Sequence, residues 1–326
     1  MTTLPELRAR RIIAQGLVGA SRSAVEAARW MLALQGQTYP AGIRALALRG
    51  PGDDAAVLSA VNRFKVVRAW PQRGTLHFLA AEDARWLMRL CNPRVARAQA
   101  GRRPGLGLRE EDVTVAREAF HAELLARGTQ DPLPRPQAYE VFAAAGVDPG
   151  DNRGPHLLRA FGGEGDVVQG PRIGAVETFV HVDSLPVVQR ELAGEEALAE
   201  LGTRYLHSHG PASVKDLVWW AGLTVAQAKK AVALARDVVP LTVGGEEYWM
   251  GQWQTDVTGQ ELQEALAASF ELPAFDEILL GYGDKSLVLA DELRPQVLTK
   301  NGLSWPFLMT EGVVTGPVNR RAGSAR

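Results

Sequence analysis

Reactive side chains are few in this sequence. Cys91 is the only cysteine, and the histidines are His77, His121, His156, His181, His207 and His209. His207 and His209 stand two apart, yet nothing near them in sequence supplies a third and fourth ligand, so no metal is expected. The others are scattered and read as hydrogen-bonded structural residues. A single cysteine excludes a disulfide framework and a Cys-based zinc site, and fits a reducing cytoplasm. The GxGxxG dinucleotide loop, the GxxxxGK(S/T) phosphate loop and the GxSxG elbow are absent, so no cofactor is expected. What remains is arginine and glutamine chemistry. Between Arg85 and Arg109 lie Arg85, Arg89, Arg94, Arg97, Arg102, Arg103 and Arg109 with no acidic residue. Such a run can grip phosphates with strong, salt-sensitive affinity; in a chain with 30 Arg against 6 Lys it can also be a solvated face. Gln35 and Gln37 flank Gly36 in the same part of the chain, and by themselves are solvated amides at a helix end.

The charge is divided unevenly. The whole chain is near neutral at −1, but residues 1–109 hold 18 Lys/Arg against 6 Asp/Glu, leaving an acidic remainder. The apolar and charged fractions, 46% and 22%, are those of a globular protein. The first residues lack the apolar stretch of a secretory signal, and no run is long and apolar enough to span a bilayer. A cytoplasmic, nucleoid-associated monomer with no membrane partner is the expectation.

Residues 197–208 have the apolar spacing of a helix, with Leu198, Leu201, Tyr205 and Leu206 on one side. Gly210-Pro211 ends it. Ser213 caps a short helix stopped by Gly222, and Thr224 with Gln227 forms a capping box for a third helix. Val238–Val243, Gly244-Gly245 and Glu247–Met250 read as a hairpin. Three helices and a hairpin spell a winged helix-turn-helix. The same order recurs upstream. Helices are expected over 4–14, from Ser23 through Leu34 with Gly36 as terminator and Pro40 as stop, and near 54–62. A hairpin then turns at Pro71–Gly74. A second repeat has helices at 112–127, 136–145 and 154–161 and a hairpin through Val167 and Val176–Val182. Short apolar runs (Ser286–Leu289, Pro306–Met309, Gly312–Val314) predict a small β-rich tail. The expected fold class is α+β: three tandem winged helix-turn-helix modules with a small β-rich C-terminal domain. The expected divisions are 1–92, an Arg-rich linker or helix–loop over 93–111, 112–190, 191–255 and 256–326.

Leu34-Gln35-Gly36-Gln37, Arg73-Gly74-Thr75-Leu76-His77 followed by Ala80-Ala81-Glu82-Asp83, and Leu272-Pro273-Ala274-Phe275-Asp276 with Leu279-Leu280-Gly281-Tyr282 occur in that order over most of the chain. In these segments the sequence resembles the AlkZ/YcaQ group of winged-helix DNA glycosylases. The resemblance implies that Gln35 and Gln37 are a catalytic pair and that duplex DNA carrying alkylated bases is the partner. The chain departs from the family pattern at Gly36, where a larger apolar residue is common, and at Val314–Val318, which lacks the tryptophan of a Gly-x-Trp-like ending.

A glutamine is too weak a base to take a proton from water ahead of bond cleavage, but it can hold a water. That is enough when the leaving base is an N7- or N3-alkylated purine, which is already cationic and departs neutral. Gln37 would orient the water and Gln35 support it or the sugar, or the reverse. Gln72 and Arg73 on the hairpin tip would probe a groove or lesion, while Arg85, Arg89, Arg94, Arg97, Arg102 and Arg103 grip phosphates. Lys65 is the only lysine in residues 1–109, so no Schiff-base step is expected. Gln227, Lys229 and Lys230 could touch DNA, but Glu246 and Glu247 would repel it. Asp276, Asp284 and Lys285 read as local ion pairs or turn caps. The competing readings are a non-catalytic DNA-binding regulator and a protein-interaction scaffold.

Overall fold

The computed structural model describes residues 2–19, 21–299 and 302–318. The chain is a mixed α+β fold. Its first part contains helices α1 (Leu4–Ala14) and α2 (Ala24–Met31), strand β1 (Leu34–Gln35), helices α3 (Tyr39–Leu48) and α4 (Asp54–Asn62), strands β2 (Val66–Gln72) and β3 (Thr75–Ala80), and helix α5 (Ala84–Cys91). Next come α6 (Pro93–Ala100), α7 (Glu110–Arg127), β4 (Leu133–Pro134), α8 (Arg135–Ala144), α9 (Arg153–Gly162), β5 (Val167–Gln169) and β6 (Thr178–His181). The third stretch is α10 (Gly194–His209), α11 (Val214–Ala221), α12 (Val225–Leu234), β7 (Val238–Val243) and β8 (Glu246–Gly251). The last is α13 (Gly259–Ala267), β9 (Ser269–Leu272), α14 (Glu277–Leu280), α15 (Arg294–Val297), β10 (Phe307–Thr310) and β11 (Val313–Pro317).

The succession of three helices and a hairpin anticipated over 197–250 is present, with all three expected caps: Ser213 accepts from the Asp216 N–H, Thr224 from Gln227, and Gly222 ends α11 in the left-handed region. The first two hairpins do not stand apart. Arg68 of β2 pairs with Gln169 of β5, so β1, β3, β2, β5, β6 and β4 form one six-stranded sheet in that order. Of the two forms anticipated for residues 93–111, linker or helix–loop, the helix–loop is present: α6, a short 3-10 turn and the first residues of α7. Helix α1, at the start of the chain, packs its Ala9 and Ile12 into the C-terminal core beside Ile278, Leu279 and Phe307. The tail is β-rich as expected at β10 and β11, but Ser286–Leu289 forms turns rather than a strand. The expected C-terminal domain also includes residues 300–301 and 319–326, which lie outside the described residues.

Two departures from the sequence-based expectation shape the site. Helix α2 does not run through Leu34. It stops at Met31, where Leu32 takes φ +64°, because Leu32 and Ala33 turn into the core shared with α5 and α10. Leu34 and Gln35 then pair with Phe78 and His77 on the edge of β3. Pro40, read as a stop, instead sits in the first turn of α3, where its missing N–H would have been unpaired in any case. No helix is long and apolar enough to cross a membrane among the described residues.

Candidate active site

Gly36 lies between two amides that the fold treats differently. Gln35, on the short edge strand, is 7% exposed. Gln37, one step past the strand, is exposed. The Gln37 side-chain carbonyl accepts the Leu76 N–H at 3.2 Å. A backbone N–H can only donate, so this contact fixes which end of the amide is oxygen. One lone pair of that oxygen and both N–H bonds of the amide are left for a ligand. The Gln35 carbonyl oxygen accepts a longer contact, 3.4 Å, from Arg73 Nη2.

The backbone of this segment is held by a residue that sequence reading passed over. Arg68, in the middle of β2 and 2% exposed, donates from Nε to the Gly36 carbonyl at 2.8 Å and from Nη2 to the Gln37 carbonyl at 3.1 Å. Its remaining nitrogen meets Gln169 Oε1 at 2.7 Å and Glu177 Oε1 at 3.0 Å. Burial pulls its pKa down to about 10, and the Glu177 carboxylate opposes that fall, so the guanidinium is charged at neutral pH. Gly36 itself has no room for a side chain. A Cβ there would stand 2.7 Å from Phe78 Cδ2, and one on Gly42 would meet the same ring at 2.7 Å and Gly36 Cα at 2.8 Å. The Phe78 ring therefore fills the volume that a larger residue at position 36 would need.

The hairpin tip is tighter than expected. Gln72 still pairs with Thr75, leaving Arg73-Gly74 as a two-residue turn with φ of +52° and +66°, the backbone of a type I′ turn. Gln72 is fully buried, and its amide has no partner among the described residues. Arg73 points inward: it donates to the Trp220 carbonyl, reaches Gln35, and lies 3.3 Å from His77 Nε2. His77 Nδ1 is 2.9 Å from the Thr75 carbonyl, which only accepts, so Nδ1 carries the proton and Nε2 accepts from Arg73. Burial, and then the Arg73 charge, push the His77 pKa down to about 3. His77 is thus a neutral spacer rather than an acid or base. Glu277 from α14 supplies the counter-charge. Burial disfavours its ionised form, but hydrogen bonding to His209 and the Arg73 field hold it below the ordinary carboxylate range. Its Oε1 is 3.2 Å from His209 Nε2 and accepts the Trp220 indole N–H.

The arginine run divides into two groups. Arg85 pairs with Asp166, Asp183 and Glu191; Arg89 with Asp166; Arg103 with Glu110; and Arg109 with Asp112. Arg94, Arg97 and Arg102 are exposed, with no acidic partner among the described residues. Gln227 and Lys230 serve locally, in the Thr224 cap and against Glu195. Asp284 caps Ser286, a local role as expected, whereas Asp276 grips buried Arg49 at 2.7 and 2.9 Å across 227 positions of the chain, a long-range buried ion pair rather than a local one. Lys285 is distant from the glutamines in sequence but near Arg73 in space. Burial, Arg73 and Arg294 lower its pKa to about 8, and its Nζ donates to the Tyr282 carbonyl at 2.7 Å. Beside Gln37, a groove of about 940 Å³ opens between Thr38, Pro40 and Arg44 on one side and Pro273, Trp305 and Pro306 on the other. No group of three or more His, Cys, Asp or Glu residues able to hold a metal exists among the described residues.

Residues 28–326 match the family model described as DNA glycosylase AlkZ-like, and the chain belongs to that family of DNA glycosylases. Among solved structures, the Streptomyces sahachiroi DNA glycosylase AlkZ superposes with a TM-score of 0.76 at 21% identity, covering 97% of this chain and 87% of that one. At that identity the likeness is one of fold. A search of curated proteins finds no match.

Proposed function

We propose that this protein is a monofunctional DNA glycosylase that hydrolyses the N-glycosidic bond of cationic N7- and N3-alkylated purines in duplex DNA, held by tandem winged-helix modules. The observation that carries this reading is the state of Gln37: exposed, neutral, with its carbonyl oxygen oriented by the Leu76 N–H. In this scheme the free lone pair of that oxygen accepts a hydrogen bond from a water beside C1′. The glycosidic bond breaks with its electron pair going to the cationic base, which leaves neutral. The amide dipole faces the oxocarbenium-like sugar. The water oxygen bonds to C1′, and its surplus proton passes to solvent. Gln35 is too buried to share that water directly and supports the turn through Arg73. Buried His77, neutral at working pH, takes no part in proton transfer.

Such a site supplies positioning and dipoles but no strong acid, so leaving-group chemistry sets its selectivity. The groove beside Thr38 gives room for bulky adducts, and crosslinked purines are included in the proposed substrate class. The test is base release by wild-type protein from matched duplexes carrying 7-methylguanine, uracil or unmodified guanine. Release of 7-methylguanine alone is expected. Release of uracil at a comparable rate, or of no base while the duplex is bound, would overturn the proposal.

A further inference from the structure

We propose that the pocket between α6 and α9 is a phosphate dock that takes one backbone phosphodiester of the bound duplex. It has a volume of about 290 Å³ and is lined by Gln99, Arg102, Asn152, His156 and Arg159, together with Leu106 and Pro155. Its distinguishing feature is uncompensated positive charge. Arginines around it are neutralised in turn: Arg103 by Glu110, Arg153 by Asp148, Arg117 by Glu164. Arg102 and Arg159 have no acidic partner among the described residues, and Arg159 Nε is buried without any partner. His156 lines the same pocket, 7% exposed, with Nε2 unpartnered. Burial and the charges of Arg103, Arg102 and Arg159 lower its pKa, and no carboxylate opposes them. Two guanidinium groups, two amides and an imidazole around a small hollow form a donor set for a phosphate. A planar guanidinium can meet two phosphate oxygens at once.

The position of the pocket gives it a purpose. Arg159 Nη2 donates to the Gly74 carbonyl, and a Cβ on Gly74 would meet Arg159 Nη2 at 2.7 Å and Val95 Cγ1 at 3.1 Å. The Arg73-Gly74 turn is therefore clamped between α6 and α9, two residues from the Leu76 N–H that orients Gln37. A phosphodiester held by Arg102 and Arg159 would fix the strand against that turn and set which nucleotide faces Gln37.

This inference rests on duplex DNA being the substrate. It is tested with the full chain on duplexes carrying one methylphosphonate at a time, which removes a single phosphate charge. Wild type should lose about tenfold in affinity at one position. Arg102→Gln, an exposed change that leaves the Gly74 clamp intact, should lose about tenfold on the unmodified duplex and be indifferent at that one position. Its log–log salt slope should shrink by about one charge. A scan with no such position, or Arg102→Gln weakened further at every position, would overturn the dock. So would millimolar inorganic phosphate binding at Arg102 alongside a flat scan, since that marks a site for free phosphate. Measuring 7-methylguanine release on the same duplexes separates the two readings. Coupling without release sinks the glycosylase chemistry and leaves the dock; release without coupling does the reverse.

Discussion

Arg68→Lys is the perturbation that the geometry makes most informative. The native guanidinium makes two bonds to Gln169 and Glu177 while spanning the Gly36 and Gln37 carbonyls. An ammonium keeps the charge but is a single point, and it cannot reach both carbonyls while contacting Glu177. Hydrogen bonds to charged groups contribute about 1.5–3 kcal/mol each. Glu177 is not stranded, because Arg135 pairs with it and Arg172 lies 3.7 Å away. The loss therefore falls at the low end of the ~3–5 kcal/mol of a fully broken buried pair, roughly 3 kcal/mol of stability. The larger effect is on rate. A displacement of about 1 Å in a group that positions a reactant costs about a hundredfold, and Gln37 is the group whose backbone is released. The assay is single-turnover release of 7-methylguanine from duplex DNA, with affinity for undamaged duplex measured in parallel. A rate about a hundredfold lower with affinity within twofold of wild type is expected. A folded Arg68→Lys protein at wild-type rate, or one whose rate falls only as far as its binding, would refute the positioning argument.

Other outcomes follow from the same contacts. Gly36→Val should overpack against Phe78 and destabilise the protein by ~1–3 kcal/mol. Adding Phe78→Ala should recover part of the loss of Gly36→Val relative to the sum of the two changes, a coupling read by urea denaturation; strict additivity would show that the ring does not set the size of residue 36. His77 is held neutral with a folded pKa of about 3, well below the ~6.5 of an unfolded histidine. The unfolded chain therefore takes up the proton first as pH falls. The contribution is complete above pH 6.5 and declines toward pH 3, by about 1.5–2 kcal/mol between pH 6.5 and 5. Urea titrations should show that decline, and His77→Gln should make it shallower, leaving the part owed to the other buried histidines such as His156 and His209; an unchanged slope would mean His77 is protonated in the fold. Because neither glutamine titrates, the pH profile of single-turnover release of 7-methylguanine should carry no protein ionisation, only the single decline that follows loss of the cationic base's own N1 proton. A bell-shaped profile would reveal an acid–base pair that the amide mechanism lacks.

The parts of this fold that were legible in sequence are those set by neighbouring residues. Ser23 with Glu26, Ser213 with Asp216 and Thr224 with Gln227 mark helix starts because each cap closes over three residues. Glycine pairs mark turns for the same reason. Pro40 misled, because a proline that ends one helix and a proline that opens another look alike without knowing where the chain bends. The two-residue strand at Gln35 was invisible, since its partner, His77, lies 42 positions away. The Gln35–Gly36–Gln37 segment was recognisable through family resemblance, whereas its supports were not. Arg68 meets Glu177 across 109 positions, and Arg73 shares a buried neighbourhood with Glu277 from the opposite end of the chain. Charge counting in one stretch likewise could not show that Arg85 and Arg89 face Asp166 and Glu191. Nor could it show that Lys285 would fold back toward Arg73.

In the proposed mechanism the Gln37 amide places the attacking water. Its most direct test is single-turnover release of 7-methylguanine by Gln37→Ala, an exposed change that removes the amide without disturbing the core. The rate should fall by about a hundredfold or more, with duplex affinity retained. Release at the wild-type rate would contradict it.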